Sequence, residues 1–496
     1  MAAAAKRRLS KSQYLRGLQC LKSLWLHNFR PDLRTPPSPG LRHVFDQGRK
    51  VGELARKRFP GGRLIAADHE HIPEALKETE AALQREANII FEAAFVSDDV
   101  LVRPDVLLRT GQSWDLIEVK SSAEIKEVHL PDVAVQRHVL EGAGLAIGKA
   151  FLMHVNAGYA RQGDIDPKKY FKLADVTGAA EPHLKQVPAR LKAMQAALAS
   201  EDMPDIPIGA HCTAPYECDF MGFCWKHVPD YSVYDLKRAG FDNINELRGR
   251  GVMRIEDIPA DFALTETQDI QVRVAKTGKP HIDGVGIKEC LDQLLCPLHF
   301  LDFETVAPAI PPYDGLRPFQ AVPFQASLHL QDKPRGPIRH LDYLGDPKSD
   351  PRPGLVEFLV KNVGPQGSIV VYNASFEGGR LGELALVYPR HAAALQSMKK
   401  RLWDLIVPFR RNLFVHPDMQ GSASMKAVLP ALVPGMSYEN LAISDGETAF
   451  LAYEALREGR ITGTRAKKTM AALREYCGQD TLGMVEVLKV LRQHAI

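Results

Sequence analysis

One segment of the chain, LHFLDFET at residues 298–305, has the composition of a buried β-strand that carries two acidic side chains. Asp302 and Glu304 are separated by one residue, so both carboxylates point to the same face of the strand. Burying two carboxylates side by side is unfavourable unless a cation neutralises them. An exposed strand with two solvated acids is the alternative interpretation. The segment therefore predicts a sheet with a candidate metal site on one face.

Composition excludes several classes of protein. The chain has 496 residues, enough for about three domains, and its 45% hydrophobic and 25% charged residues are typical of globular proteins. The apolar runs are too short for a membrane helix. The start, MAAAAKRRLSKSQ, lacks the apolar segment of a signal peptide. We therefore expect a soluble, cytoplasmic protein that contacts no membrane.

Charge is distributed unevenly along the chain. The net charge is only +3, but residues 1–60 contain 14 lysines and arginines against 3 acidic residues, so the remainder is net acidic. A basic N-terminal region favours contact with a polyanion, of which nucleic acid is the first candidate. A solvated basic surface explains the same pattern, and this alternative stays open.

The order of the predicted elements indicates an α/β protein. Helical patterns at 41–60, 73–90, Asp132–Gly142 and 184–200 surround consecutive strands at 91–122, in which Thr110–Ser113 is predicted as a hairpin turn. Short helices follow, loosely resembling helix-hairpin-helix DNA-binding repeats. The last part opens with the strand described above and closes with a helix at 467–492. These patterns predict three domains, at residues 1–228, 229–295 and 296–496.

A second set of ionisable side chains lies on and beside the predicted strand LIEVK. Glu118 and Lys120 share one face of it, and Asp105 lies across the predicted hairpin in the preceding strand. Two carboxylates can bind Mg²⁺ or Mn²⁺ while a lysine stabilises charge, which is the chemistry that phosphodiester hydrolysis requires. The alternative is that Glu-x-Lys is a common pattern of exposed strands.

The sequence Pro104-Asp105, then Glu118-x-Lys120, then a helix bearing Gln136, resembles the RecB-type PD-(D/E)XK nucleases. The resemblance implies a restriction-endonuclease-like domain in which Asp105 and Glu118 hold the metal. It also implies Lys120 as the catalytic lysine and Gln136 as its helical partner. Glu92 and Glu53 are weaker candidates, and Leu140 stands where relatives often have tyrosine.

Three of the seven cysteines, Cys212, Cys218 and Cys224, recur at intervals of six residues. Structural zinc sites use tighter Cys-x-x-Cys spacings. Together with the N-terminal Cys20, the pattern resembles the iron–sulfur nucleases. That resemblance implies that four thiolates hold a [4Fe–4S] cluster joining the two ends of the domain. Zinc, or four buried thiols without metal, stays open as an alternative. Cys290, Cys296 and Cys477 are predicted to be ordinary core thiols.

The C-terminal region also contains acidic residues in a characteristic order. After FLDFET come SIVVYNASFE, with Asn373 at a strand–helix junction and Glu377 in the first helical turn, and REYCGQD, with Tyr476 and Asp480 on one helix face. This order resembles the DEDD exonucleases of the DnaQ type, which have a ribonuclease-H-like fold. The resemblance implies two divalent ions at the site and a tyrosine that helps to activate water. The implied metal ligands are Asp302, Glu304, Glu377 and Asp480, with Tyr476 as the catalytic tyrosine.

Position 377 departs from that family, which usually has aspartate there. Asp404 is a candidate auxiliary acid, and Lys426 a candidate phosphate contact. The whole chain thus resembles a bacterial family that joins a RecB-like iron–sulfur nuclease to a DEDD-like domain. The resemblance implies a Mg²⁺- or Mn²⁺-dependent nuclease acting on DNA, as an exonuclease on single strands or ends. Two alternatives remain: action on RNA by the C-terminal site, and a nucleic-acid-binding scaffold with one or both sites inactive.

Overall fold

The computed structural model describes residues 8–496, which form two compact units. Unit 1 comprises the described part of residues 1–227 together with Pro308–Gln320. Unit 2 comprises Val228–Ala307 and Ala321–Ile496, so it includes the predicted middle segment 229–295. The expectation about a signal peptide falls partly on residues 1–7, which lie outside the described residues. No helix of the described chain combines the length and apolar character needed to cross a bilayer.

Unit 1 is built on a six-stranded mixed sheet in the order β2-β3-β6-β7-β8-β9, beside a small sheet in the order β1-β5-β4. The strands are β1 (Leu9–Ser10), β2 (Arg63–Leu64), β3 (Ile89–Phe91), β4 (Phe95–Ser97), β5 (Val100–Val102), β6 (Val106–Thr110), β7 (Ser113–Lys120), β8 (Ile147–Val155) and β9 (Phe171–Asp175). The predicted hairpin is confirmed, because Thr110 pairs with Ser113 and Gly111 adopts the positive φ that the turn requires.

Helices cover the sheet of unit 1. They are α1 (Lys11–Gln19), α2 (Leu21–Phe29), α3 (Pro39–Arg56), α4 (Ile72–Gln84), α5 (Leu130–Gly142), α6 (Pro167–Tyr170), α7 (Thr177–Ala199) and α8 (Met221–Cys224). Side-chain alternation along β7 explains the layering. Leu116 joins a core that includes residues of α5 and α7, and Ile117 joins a second core with residues of α3. Glu118 therefore faces α5.

Unit 2 contains a five-stranded sheet in the order β13-β12-β11-β14-β15, and a two-stranded ribbon. The strands are β10 (His281–Ile282), β11 (Leu298–Val306), β12 (Val322–Gln331), β13 (Ile338–Leu344), β14 (Ile369–Val371), β15 (Leu402–Asp404) and β16 (Phe414–Val415). Strand β12 is antiparallel to its neighbours β11 and β13, whereas β11, β14 and β15 are parallel. The predicted strand LHFLDFET is confirmed as β11, which lies in the middle of the sheet.

The helices of unit 2 are α9 (Phe241–Gly249), α10 (Glu266–Thr277), α11 (Gly284–Leu291), α12 (Arg352–Asn362), α13 (Ala374–Val387), α14 (Ala392–Lys400), α15 (Val407–Arg410), α16 (Met425–Leu432), α17 (Gly446–Arg457) and α18 (Gly463–His494). Apolar residues of β11 and β12 pack with α12, α13 and α14 in one core. The opposite face of the same strands carries polar side chains, and α18 lies against it. The α/β class is therefore confirmed, and the polar face is where acidic residues meet.

Candidate functional site

Unit 1 brings together the residues predicted from the strand LIEVK. Glu118 and Lys120 do share a face of β7, and Lys120 Nζ donates a hydrogen bond to Glu118 Oε1 at 2.8 Å. Asp105 lies immediately before β6 instead of within it, because the strand begins at Val106. Its Oδ2 accepts a hydrogen bond of 2.6 Å from the backbone amide of Val119. This bond ties the Asp105 carboxylate to the strand that carries Glu118.

Helix α5 supplies the predicted glutamine and one acidic residue that sequence reasoning missed. Gln136 is fully buried, and its Nε2 donates to Glu118 Oε2 at 2.8 Å and to Asp132 Oδ1 at 3.0 Å. Asp132 also accepts from Lys120 at 2.5 Å. Residues four apart share a helix face, so the spacing of Asp132 and Gln136 was the signal that the sequence offered.

The first turn of α1 adds a second lysine, Lys11. A capping box between Ser10 and Gln13 fixes the start of this helix, which makes Lys11 its first residue. Lys11 Nζ donates to Glu118 Oε1 at 2.7 Å and lies 3.2 Å from Asp132 Oδ1. Lys11 is 107 positions from Glu118 in the chain, so only the basic character of the N-terminal region hinted at its role.

The ammonium groups of Lys11 and Lys120 act unequally on the two carboxyl groups Glu118 and Asp105. Burial acts to raise the pKa of Glu118, but the charges of Lys11 and Lys120 outweigh it and lower that pKa overall. Burial, and then the negative charge of Glu118, raise the pKa of Asp105 well above its usual value. One carboxylate is thus neutralised by lysines, while Asp105 has no lysine within ion-pair distance among the described residues. Of the weaker candidates, Glu92 adjoins Asp105: its backbone amide donates to the carbonyl oxygen of Asp105 at 3.3 Å, and its charge adds to the raised pKa of Asp105. Glu53 is exposed.

Replacing Lys11 by methionine is expected to lower the free energy of unfolding by about 2 kcal/mol, because two buried carboxylates lose a charged hydrogen-bond donor. The loss stays moderate because Lys120 continues to pair with both. Urea unfolding at pH 7 would measure it, with Lys57→Met as the control, since Lys57 is exposed in the same unit. Equal stabilities of the two variants would contradict the assignment of Lys11 to the charge cluster.

The four predicted cysteine ligands, Cys20, Cys212, Cys218 and Cys224, line one small cavity of unit 1, of about 20 Å³. Cys20 lies between α1 and α2, and the others lie in the segment that follows α7. Burial raises the pKa of the Cys20 and Cys224 thiols, and the neighbouring thiols raise it further. The structure therefore brings both ends of the predicted nuclease region to one place.

The spacing of these sulfurs bears on the metal they suit. A tetrahedral zinc ion with Zn–S bonds near 2.3 Å holds its sulfurs about 3.8 Å apart. Among the described residues, the group of three metal-ligating atoms that lie within 4.8 Å of one another is in unit 2, so no three of the four cysteine sulfurs are that close together. The four sulfurs are therefore not gathered at the separation that a bound zinc ion imposes.

In unit 2, the acidic residues predicted from FLDFET lie on the polar face of β11. Asp302 is opposite Ser327 and Glu304 is opposite Gln325 on β12. Helix α18 crosses this face and brings Asp480 to the same place, where burial and then the charge of Asp480 raise the pKa of both carboxyls. The predicted shared helix face of Tyr476 and Asp480 is supported by the influence of the Tyr476 phenol on Asp480, whose pKa it lowers against the larger effect of burial.

A second tyrosine, which sequence reasoning missed, holds the Asp480 carboxylate. Tyr438 lies in the loop between α16 and α17, and its hydroxyl donates to Asp480 Oδ1 at 2.6 Å. Loop residues follow no periodic pattern, so no motif could indicate this contact. Asp480 is thereby held in place by the Tyr438 phenol.

Glu377 stands in the first turn of α13, as predicted, and is 1% exposed. Its Oε2 is buried without a hydrogen-bond partner among the described residues. Its negative charge contributes to the raised pKa of Asp302. The predicted fourth carboxylate is thus close enough to Asp302 for their charges to interact.

The four carboxylates of unit 2 have no ion-pair partner within 4.0 Å among the described residues. Burial, and then neighbouring negative charge, raise the pKa of Glu304 to about 8. Burial chiefly raises the pKa of Glu377 to about 8 and that of Asp480 to about 6. Lys426 is the cation whose charge reaches Asp480, and it stands 3.9 Å from Asp445. This cluster, unlike that of unit 1, has no cation among the described residues that pairs with its carboxylates.

Asp404 has a structural task. Its two carboxylate oxygens accept hydrogen bonds of 2.9 Å from the backbone amides of Asn373 and Ala374. These contacts stabilise the start of α13, where Asn373 adopts a left-handed conformation. Asp404 therefore positions the helix that carries Glu377.

The remaining cysteines differ from one another. Cys290 is buried as predicted, whereas the prediction of a core position for Cys296 is wrong, because it is exposed. Cys477 is fully buried but is not surrounded only by apolar groups. Its sulfur lies 3.7 Å from Asp302 Oδ2 and belongs, with Asp302 and Glu304, to a group of potential metal ligands. Cys477 adjoins Tyr476, and this adjacency was the signal that the sequence offered.

In metal-free protein, the wild type is expected to lose stability relative to Glu304→Gln as the pH rises from 5 to 9. The folded state raises the pKa of Glu304 to about 8, so above the unfolded pKa the native state binds more protons and the free energy of unfolding falls with pH. Glutamine does not titrate and escapes this loss. Urea unfolding at pH 5, 7 and 9 in chelator would measure the difference, and a constant difference would contradict the raised pKa.

Part of this region is similar to known sequences. A family model described as a domain of unknown function, DUF2779, matches residues 299–424, which include Asp302, Glu304 and Glu377. An uncharacterised protein of Mycoplasma pneumoniae is 26% identical over 205 residues, covering 38% of this chain and 31% of the relative. One of Ureaplasma parvum is 24% identical over 293 residues, covering 53% and 41%. The chain therefore spans less than half the length of these curated relatives.

Proposed function

We propose that the protein is a divalent-metal-dependent nuclease that hydrolyses phosphodiester bonds of DNA, as an exonuclease acting on single strands or ends. The observation that carries this proposal is the cluster of Asp302, Glu304, Glu377 and Asp480, gathered from three separate elements without a cation among the described residues. Glu304 and Glu377 are buried, and Asp302 and Asp480 are half-buried. Uncompensated buried carboxylates are costly, and binding of divalent cations removes that cost.

The fold of unit 2 supports the DEDD-like interpretation. When the five strands of its main sheet, β11 to β15, are numbered 1 to 5 in chain order, their order across the sheet is 3-2-1-4-5. The second of them, β12, is antiparallel to the other four. This is the arrangement expected of a ribonuclease-H-like sheet, and it supports the proposed fold of unit 2. For unit 1, we propose a restriction-endonuclease-like fold, on the basis of the central hairpin β6–β7 and the helix α5 that packs beside it.

The residues of unit 2 fit hard divalent ions, since carboxylate oxygens are the ligands that Mg²⁺ and Mn²⁺ prefer. Asp302, Glu304, Glu377 and Asp480 would hold them. Bound there, such ions supply Lewis-acid activation of a water and stabilisation of the leaving oxygen. Tyr438 keeps the Asp480 carboxylate in place through its 2.6 Å hydrogen bond.

Two further side chains would act on the substrate in unit 2. Tyr476, one helical turn from Asp480 on α18, orients the attacking water. Lys426 is half exposed in the first turn of α16, and it binds a phosphate oxygen of the nucleic acid.

Unit 1 fits a single divalent ion less readily. Asp105 and Glu118 would hold it, but Lys11 and Lys120 already donate to the same oxygen of Glu118. Lys120 then stabilises negative charge on the phosphoryl oxygens, and Gln136 orients Glu118 through its other oxygen. We propose this as the second hydrolytic site, in which a bound metal ion would displace the ammonium of Lys11 from the Glu118 carboxylate.

The cysteine cavity is proposed to hold a structural [4Fe–4S] cluster, bound by Cys20, Cys212, Cys218 and Cys224. The donor set suits it, because four thiols line one cavity and thiolates are the usual ligands of iron–sulfur clusters. Cluster binding would hold α1 and α2, and with them Lys11, against the end of unit 1.

Degradation of end-labelled single-stranded DNA in Mn²⁺ tests the proposal. Wild type is compared with Lys120→Ala, Asp302→Ala and the double variant, and an RNA of the same sequence is run in parallel. Survival of cleavage in each single variant and its loss in the double variant would establish two active sites. Abolition by one single change would leave the other unit a binding role.

The scaffold alternative rests on two departures from the family patterns, Leu140 and Glu377. Leu140 is fully buried in the core of unit 1, so it offers nothing to a substrate. If iron-replete wild-type protein cleaves neither DNA nor RNA, the protein is a nucleic-acid-binding scaffold. Preferential cleavage of RNA would reassign the substrate.

A further inference from the structure

The thiol of Cys477 belongs to none of the roles assigned above, although it lies inside the carboxylate cluster of unit 2. Its sulfur is 3.7 Å from Asp302 Oδ2, and the two groups form, with Glu304, a set of potential ligands within 4.8 Å of one another. A core thiol normally packs against apolar atoms. Here the neighbours of the sulfur are acidic groups, whose burial the fold otherwise leaves uncompensated.

The distances suit a shared ion. Donor atoms bound to one tetrahedral ion at about 2.1 Å for oxygen and 2.3 Å for sulfur lie about 3.6 Å apart. The separation of 3.7 Å between Cys477 Sγ and Asp302 Oδ2 matches this value. A thiol–carboxylate hydrogen bond has a similar length, so the distance alone does not distinguish the two.

Glu304 provides the independent observation. It is 8% exposed, and its carboxylate makes no hydrogen bond or ion pair with any side chain of residues 8–496. A hydrogen bond from Cys477 to Asp302 would satisfy Asp302 but would leave this second acid without a partner. An ion held between the three groups satisfies all of them.

We propose that Cys477 is a ligand of one metal ion in unit 2, together with Asp302 and Glu304, and that this site prefers a thiophilic divalent ion such as Co²⁺, Zn²⁺ or Cd²⁺ over Mg²⁺. The inference rests on the proposed metal-dependent function and narrows it to the class of ion. Mixed sulfur and oxygen ligation favours borderline and soft ions, whereas Mg²⁺ takes oxygen ligands. The second ion would keep an all-oxygen environment from the remaining carboxylates.

Titration of metal-free protein with Co²⁺ tests the ligand directly, because a thiolate bound to Co²⁺ gives a charge-transfer absorption band in the near ultraviolet. The cysteines of unit 1 contribute to the same region, so the readout is the difference between wild type and Cys477→Ser. We expect this variant to lose part of the band and to bind Co²⁺ about tenfold more weakly or worse. Its affinity for Mg²⁺ should change by less than about twofold.

Cys290→Ser is the matched control, since Cys290 is also a buried thiol of unit 2 and is remote from the carboxylates. It should keep the full band. Should Cys477→Ser fail to fold, Cys477→Ala, which introduces no hydroxyl into the core, is measured in its place.

Asp302→Asn separates the failure of this inference from the failure of the proposed function. If Asp302→Asn weakens Co²⁺ binding while the Cys477 variants bind it like wild type, the metal site exists and Cys477 is not its ligand. If neither change affects Co²⁺ or Mg²⁺ binding, unit 2 holds no metal at these residues, and both the inference and the proposed function of unit 2 are overturned.

Discussion

Asp302→Asn is expected to lower the rate of metal-dependent DNA cleavage by unit 2 about a thousandfold, and at the same time to make the metal-free protein more stable. Asp302 lies on the central strand, where burial and three neighbouring carboxylates raise its pKa well above the usual value. At pH 9 the unfolded chain ionises this group freely, so its burial in the folded state is unfavourable. Asparagine has the same shape and carries no charge, which should raise the free energy of unfolding by about 1–2 kcal/mol.

The variant is expected to lose activity and to gain stability, a combination that general damage to the fold would not produce. Cleavage is measured in the Lys120→Ala background, so that unit 1 contributes nothing, and stability is measured by urea unfolding at pH 9 in chelator. Asp332→Asn is the control, because Asp332 is an exposed aspartate of the same unit. A variant that lost both activity and stability would indicate damage to the fold, whereas unchanged cleavage would remove Asp302 from the site.

The sequence predicted those parts of the two sites that lie within single periodic elements. Glu118 and Lys120 on a strand, and Tyr476 and Asp480 on a helix, have spacings that determine a shared face before the fold is known. The pairing of these elements with one another was predicted only through resemblance to known families. Spacing alone does not report which distant segment packs against a given face.

The sequence did not predict the site side chains that distant segments of the chain contribute. Lys11 reaches Glu118 because a helix cap sets its position, and Tyr438 reaches Asp480 from a loop. Both contacts depend on tertiary packing, which leaves no periodic trace. Asp404 illustrates another limit: its carboxylate accepts hydrogen bonds from two backbone amides, a contact that residue type alone does not predict.

Cys218→Ser is expected to abolish iron binding and to loosen both ends of unit 1. Anaerobically purified wild type should contain about four irons per chain, and the variant should contain almost none. The cluster would cross-link Cys20 to Cys212 across about 190 residues, and a cross-link of that span is worth about 5 kcal/mol. Hydrogen exchange should therefore accelerate in α1, α2 and the cysteine-bearing segment, while Cys296→Ser, at an exposed thiol, should change nothing. Stoichiometric zinc in place of iron would refute the cluster.

The loosening should remain local, because side chains hold the same two segments together. Arg16 donates from both terminal nitrogens to Asp219, at 2.6 and 2.9 Å, and Gln19 donates to the backbone oxygens of His211 and Tyr216. Combining Cys218→Ser with Arg16→Met should then accelerate exchange by more than the two single changes predict together, since the segments separate only when both connections are lost. Additive effects would mean that the cluster and the salt bridge stabilise different parts of unit 1. In that case the cluster could not be what keeps Lys11 beside Glu118.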